Sequence, residues 1–171
     1  MAKLLPRDEE LFAQIAREHI YVNPVLWTII YQYLGDCISV INVLVRYYID
    51  SNLAVPKKEA ERILIYTNRM IEIIQKLTDH NLIKADEPDP LLQRVKKENL
   101  KFDPITDELF GNYVRNDIYM ITLIITDYLD PLDTREAISI EHAGKILEYT
   151  RSTMRFMDRL REATSRRLKY D

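Results

Sequence analysis

Two stretches of this 171-residue chain recur at a fixed offset, and that recurrence restricts the folds open to it more than any single motif. Shifted by 80 positions, 11–50 aligns with 91–130 without a gap. Eight of those forty positions are identical: Leu11/Leu91, Glu18/Glu98, Pro24/Pro104, Tyr33/Tyr113, Ile38/Ile118, Ile41/Ile121, Tyr48/Tyr128 and Asp50/Asp130. Pairs such as Ile15/Val95, Arg17/Lys97, Asn23/Asp103 and Gln32/Asn112 keep size or polarity. After a loop three residues longer in the second copy the offset becomes 83, and 60–67 then matches 143–150 at five of eight positions. Two blocks in the same order, separated by an insertion in a loop, imply a duplicated structural unit.

The unit reads as three helices. Asn23-Pro24 and Asp103-Pro104 each place a side-chain acceptor at an N-cap and a proline at the first helical position, where its missing N–H costs nothing. Pro56, Pro90 and Pro131 mark further boundaries, and only three glycines occur, too few for a turn-rich sheet. These signals predict helices over 7–21, 24–50, 56–80, 90–100, 104–129 and 139–168. The third (Ile63, Met70, Ile74, Leu77) and the sixth (Ala143, Leu147, Met154, Met157, Leu160) carry one apolar face at helical spacing. The second and fifth are apolar around most of their circumference and are expected to be central. The fold expected is all-α: a six-helix bundle in one domain, 1–171, made of two tandem three-helix repeats, 7–83 and 88–168. Four helices are long and two short, and approximate internal twofold symmetry brings the second and fifth helices together.

Composition removes several function classes. A 47% hydrophobic, 30% charged chain is globular, and a net charge of −3 does not suit a surface shaped throughout for nucleic acid. The one cysteine, Cys37, lies in an apolar run and reads as a buried thiol. The charge-free run from Ile20 to Gly35 is shorter than the ~20 residues of a membrane span, and charges follow Met1 closely. A cytoplasmic location with no membrane association is expected, and isoleucine-rich, charge-rich composition suits a thermophile.

Polar residues that occur in both copies are the candidates for function. Thr28, Gln32, Asp36, Ser39, Asn42 and Arg46 form a stripe on the second helix, matched on the fifth by Glu108, Asn112, Asn116, Tyr119, Thr122 and Thr126. If the stripes face each other, Gln32, Asp36, Asn112 and Asn116 line a polar pocket between the units. Tyr33/Tyr113, Tyr48/Tyr128 and Tyr66/Tyr149 read as packing residues whose hydroxyls reach a partner, and Asp50/Asp130 as caps of the turns that follow. His19, His80 and His142 form no ligand-spaced pair, so no metal and no cofactor are expected. From Lys145 to Asp171 eight cations face four acids, and Arg151, Arg155, Arg159, Arg166 and Arg167 are candidates for contact with phosphate or an acidic partner.

Two resemblances bear on function. Arg135 and His142, with six residues between them, resemble the Arg-x4-6-His element of HEPN-type ribonucleases, which implies an all-helical, often dimeric RNase. The duplicated three-helix plan is similar to that of PhoU-type phosphate-signalling regulators, whose repeated acidic metal motifs have no repeated counterpart here. With no catalytic set assembled, the leading expectation is a non-enzymatic helical interaction, regulatory or scaffold protein that self-associates as a homodimer or binds another protein. The alternatives are nucleic-acid binding through the basic last helix, and a small-ligand binder or HEPN-like RNase.

Overall fold

The computed structural model describes residues 5–165. Helix makes up 76% of the described residues and strand 2%, so the protein is all-α. The six helices among the described residues are α1 (Pro6–Arg17), α2 (Pro24–Asp50), α3 (Lys57–Thr78), α4 (Pro90–Lys97), α5 (104–128) and α6 (Ile140–Ser165). Two-residue strands, β1 (Val55–Pro56) and β2 (Ala137–Ile138), lie in the loops after α2 and α5.

The starts follow the cap chemistry. Asn23 Oδ1 accepts from the Val25 N–H at 2.8 Å, and Asp103 Oδ1 accepts from Ile105 and Thr106. Asp89 does the same at Pro90. The ends differ from expectation. His19 and Asn99, 80 positions apart, take left-handed φ values of 51° and 49°, and the amide three residues past each helix end closes a six-to-one bond, Ile20 to Ile15 and Leu100 to Val95. This closure stops α1 at Arg17 and α4 at Lys97, earlier than apolar periodicity alone places them.

Both long apolar helices widen into a π turn, α2 over Ile29–Leu34 and α5 over Gly111–Arg115. Each π turn adds a residue to the repeat and rotates the side chains beyond it.

α2 lies antiparallel along α6, with the Tyr31 hydroxyl donating to the Met157 carbonyl and Asn42 Nδ2 donating to Thr150 Oγ1 at 2.9 Å. α5 packs along α3 and also against α6, while α2 also meets α3. The four long helices therefore form a ring in the order α2, α6, α5, α3. This corrects the expected packing of the second helix on the fifth: they stand at opposite corners. α3 and α6 each have one apolar stripe, whereas α2 and α5 are apolar on two sides, so each apolar helix is covered best by two amphipathic neighbours.

The short helices close the ring at one end. α1 rests on α6 and the first turns of α5, and α4 rests on the first turn of α2. At the other end Val55 pairs with Ile138 and Pro56 with Ala137, antiparallel, and both Val55 and Ile138 are fully buried. The core takes Ile30, Leu34, Ile38 and Ile41 from α2, Phe110, Ile118 and Ile121 from α5, and Ile63, Met70, Ile146 and Phe156 from α3 and α6. Met154, expected on the buried face of α6, is 37% exposed.

Phe156 is fully buried and touches three other aromatic rings, so Phe156→Ala should cost about 3–5 kcal/mol in a urea titration. Leu132→Ala, at a side chain 90% exposed, should fall within about 0.5 kcal/mol of the parent.

Candidate functional site

A cleft of 390 Å³ opens between α2, α3 and the start of α4. Cys37, Ile73 and Leu92, all buried, supply its apolar wall, and Gln32, Tyr33, Asp36, Arg69, Glu72, Lys76, Glu87 and Asp89 supply the polar one. Most of the polar groups are already engaged. Tyr33 donates its hydroxyl to Asp89, the cap of α4, and burial together with that carboxylate pushes the phenol up to about 12. Lys76 Nζ bridges Glu87 at 2.8 Å and Glu72 at 3.0 Å, and hydrogen bonds to the two carboxylates hold the ammonium above its ordinary value. Cys37 is buried, and desolvation raises its thiol despite the adjacent Arg69 guanidinium, so it is a poor nucleophile.

Gln32, Asp36 and Arg69 are different. They are exposed at the cleft, and among the described residues no ion pair joins Asp36 to Arg69; the guanidinium is hydrogen-bonded to the Cys37 thiol.

The structure does not bring the four expected pocket residues together. Gln32 and Asp36 line the cleft on α2, whereas Asn112 and Asn116 are exposed on α5, at the opposite corner, and do not line it. Asn112 instead reaches Asp8 Oδ1 on α1 at 3.5 Å. Beside it, Tyr113 donates to the buried Asp8, and Arg159 pairs with Glu9. Here Phe12 and Phe156 pack at 6.2 Å and Tyr113 stacks on Phe156 at 6.3 Å.

Sequence reasoning missed Asp117, which sits next to the fully buried Ile118 and is itself 4% exposed. Thr153 Oγ1 on α6 lies 2.9 Å from the Tyr113 carbonyl oxygen, within the π turn of α5, and 3.1 Å from Asp117 Oδ2. One hydroxyl hydrogen cannot serve both acceptors. Both contacts are satisfied when Asp117 carries a proton and donates to Thr153, which then donates to Tyr113. Burial accordingly pushes the Asp117 carboxyl up to about 7, against the opposing hydrogen bonds from Ser152 and Thr153. The only sequence signal was an acid beside an apolar run.

Arg135 and His142 do meet, around one tyrosine. The Arg135 guanidinium lies 3.8 Å from the centroid of the Tyr128 ring, and the Tyr128 hydroxyl is 2.7 Å from His142 Nδ1. Arg135 is also held by Asp127 at 2.9 Å and by Asp133, whose carboxyl this pairing lowers to about 2. Its charge is therefore spent on ordering the loop before α6. Tyr128 also accepts from the Ser139 N–H at 3.1 Å, and Asp130 caps the turn through Leu132 N.

On the basic helix Arg151 is exposed, Arg155 is half-buried, and Arg159 is tied to Glu9, Glu162 and the Phe12 ring. Arg166 and Arg167 lie outside the described residues. No group of three or more metal-ligating side chains assembles among the described residues.

Comparison of the chain with protein-family models, with curated proteins and with solved structures finds no match in any of the three.

Asp117 gives a signed pH dependence. Between its ordinary 3.8 and its folded value near 7 the unfolded chain has lost a proton that the folded chain retains, so stability falls as pH rises through this window and levels off above it. The loss from pH 5 to pH 8 should be a few kcal/mol in urea titrations. Asp117→Asn should flatten that slope and be the more stable form at pH 8. A wild-type stability constant from pH 5 to pH 8 would contradict the assignment.

Proposed function

We propose that the chain consists of two tandem three-helix units related by an approximate twofold axis, and that it works as a non-enzymatic regulatory domain holding a small ligand in the cleft between α2, α3 and α4. The duplication is supported by backbone features that recur at the sequence offsets. They are the left-handed ends at His19 and Asn99, the overlapping π turns of α2 and α5, and the pairing of Val55 with Ile138. The donor side chains repeat as well, each meeting a nearby acid that is not at the equivalent position. Tyr33 and Tyr113 each donate to an aspartate on the short helix of the other unit, Asp89 and Asp8. Lys76 and Arg159, 83 apart, each pair with a glutamate at that helix, Glu87 and Glu9. Each short helix thus serves the neighbouring unit.

One observation carries the functional reading. At the offsets, Ile73 corresponds to Phe156 and Leu92 to Phe12. Where α1 covers the second unit these phenylalanines pack together beside Tyr113; where α4 covers the first the smaller aliphatic pair borders a 390 Å³ cleft. A volume of this size lies within the range of small-ligand sites, and apolar walls with a few free polar groups are their usual lining. Non-enzymatic action is supported by the state of the reactive groups: the Cys37 thiol is buried and raised, and Arg135 is neutralised by two carboxylates.

A thermal-shift screen of a small-molecule panel tests the reading by comparing the parent with the double variant I73F/L92F, which copies the aromatic filling of the second unit. At least one compound should raise the parent's Tm and leave the variant's unchanged. If every stabilising compound acts equally on both, the cleft is not the site.

A second reading, self-association, is favoured by the apolar stripe of Val40, Val43 and Tyr47 on α2, which are 39%, 57% and 64% exposed. Light scattering should report a dimer that Val43→Glu converts to monomer without loss of Tm; a monomeric parent at high micromolar concentration rules this out. Nucleic-acid binding has less support, because Arg159 is committed to Glu9 and Glu162.

A further inference from the structure

The two charges of the cleft that have no ion-pair partner in it are of opposite sign and belong to different helices, Asp36 to α2 and Arg69, whose guanidinium also meets the Cys37 thiol, to α3. Every other charged group there has an internal partner: Lys76 with Glu72 and Glu87, and Asp89 with Tyr33 and the amides of α4. Arg69 and Asp36 line one cleft and yet do not close on each other. An occupant bearing only a cation would satisfy Asp36 and leave Arg69 unmatched in the same cleft, and a simple anion would do the reverse. Electrostatic complementarity calls for both charges on one small molecule, with the negative group planar to match the guanidinium fork. Gln32, one turn before Asp36, adds a neutral donor and acceptor on the same side. The remaining wall is Cys37, Ile73 and Leu92, exposed 4%, 8% and 4%, which offers the uncharged part of an occupant an apolar surface.

We infer that the cleft binds a zwitterionic small molecule of the α-amino-acid class with an apolar side chain, its carboxylate on Arg69, its ammonium on Asp36, and its side chain against Ile73 and Leu92. This rests on the cleft reading proposed above and specifies its ligand. Nothing in the arrangement requires chemistry on the bound molecule.

Isothermal titration calorimetry on the full chain tests it with the free L-amino acids leucine, isoleucine, valine, methionine and phenylalanine. Their N-acetyl forms keep only the negative charge, and their methyl esters only the positive one. At least one free amino acid should bind, and both of its blocked forms should bind at least tenfold more weakly. Arg69→Gln should remove the preference for the free acid over the ester, and Asp36→Asn the preference for the free amine over the acetylated form. Both side chains are exposed, so unchanged Tm values establish that these variants fold. I73F/L92F should abolish binding altogether. If blocked and free forms bind equally, or the single variants leave the preferences intact, the zwitterion assignment is wrong while the cleft reading stands, provided I73F/L92F still removes binding. If none of the amino acids binds, the assignment is overturned, and the broader panel in the thermal-shift comparison then decides the cleft reading separately.

Discussion

The packing of two apolar helices, each between two amphipathic ones, is the constraint on which the remaining structure depends. α2 runs for 27 residues, about 40 Å, and is apolar enough by length and composition to cross a membrane. A helix of that kind cannot be covered from one side. Placed at opposite corners of the ring, α2 and α5 each take one neighbour from their own half and one from the other, which buries Ile30, Leu34, Ile38 and Ile41 on one and Phe110, Ile118 and Ile121 on the other. Had the two met face to face, their outer flanks would have stayed in contact with water. The ring also fixes where the termini of α3 and α6 fall, and so where the short helices can rest.

Helix existence was legible in the sequence because its signals are local. Asn23-Pro24 and Asp103-Pro104 start helices for reasons of cap geometry that need no knowledge of the rest of the chain. Helix ends were less legible, since His19 and Asn99 enter the left-handed region without a glycine to announce it. Helix partners were not legible at all. Periodicity reveals which face of a helix is apolar but not which other face covers it, and the π turns rotate the faces of α2 and α5 partway along. The expectation that α2 and α5 would pack together failed for that reason, and with it the convergence of Gln32 and Asp36 with Asn112 and Asn116.

The candidate site was half legible for a related reason. Gln32 and Asp36 stood out as polar residues at helical spacing on an otherwise apolar helix. Arg69 did not, because one arginine on the polar face of an amphipathic helix is what any such helix carries; only the packing of α3 beside α2 sets it against Asp36. Lys76 was equally anonymous until Glu87, eleven residues on, returned to meet it. Arg135 and His142 show the converse. Their spacing attracted notice, they do converge on Tyr128, and the structure then spends the arginine on Asp127 and Asp133.

The proposed duplication also explains why the two halves diverge where they do. Duplicated units face identical demands in the core, so Ile38/Ile118 and Ile41/Ile121 have no reason to differ, and all four are fully buried. The positions under the short helices are freer, because one filled site suffices to anchor a helix through packing and the other can anchor through charge. α1 is held by Phe12 against Phe156 and by Arg159 on Glu9. α4 is held by Asp89 on Tyr33 and Glu87 on Lys76. Under α1 two phenylalanines pack together and the pocket beside them is about 190 Å³, whereas under α4 the smaller aliphatic pair borders a cleft of about 390 Å³. A helix already held by charge tolerates an opening beneath it, which is the condition under which a binding site can arise in a duplicated fold.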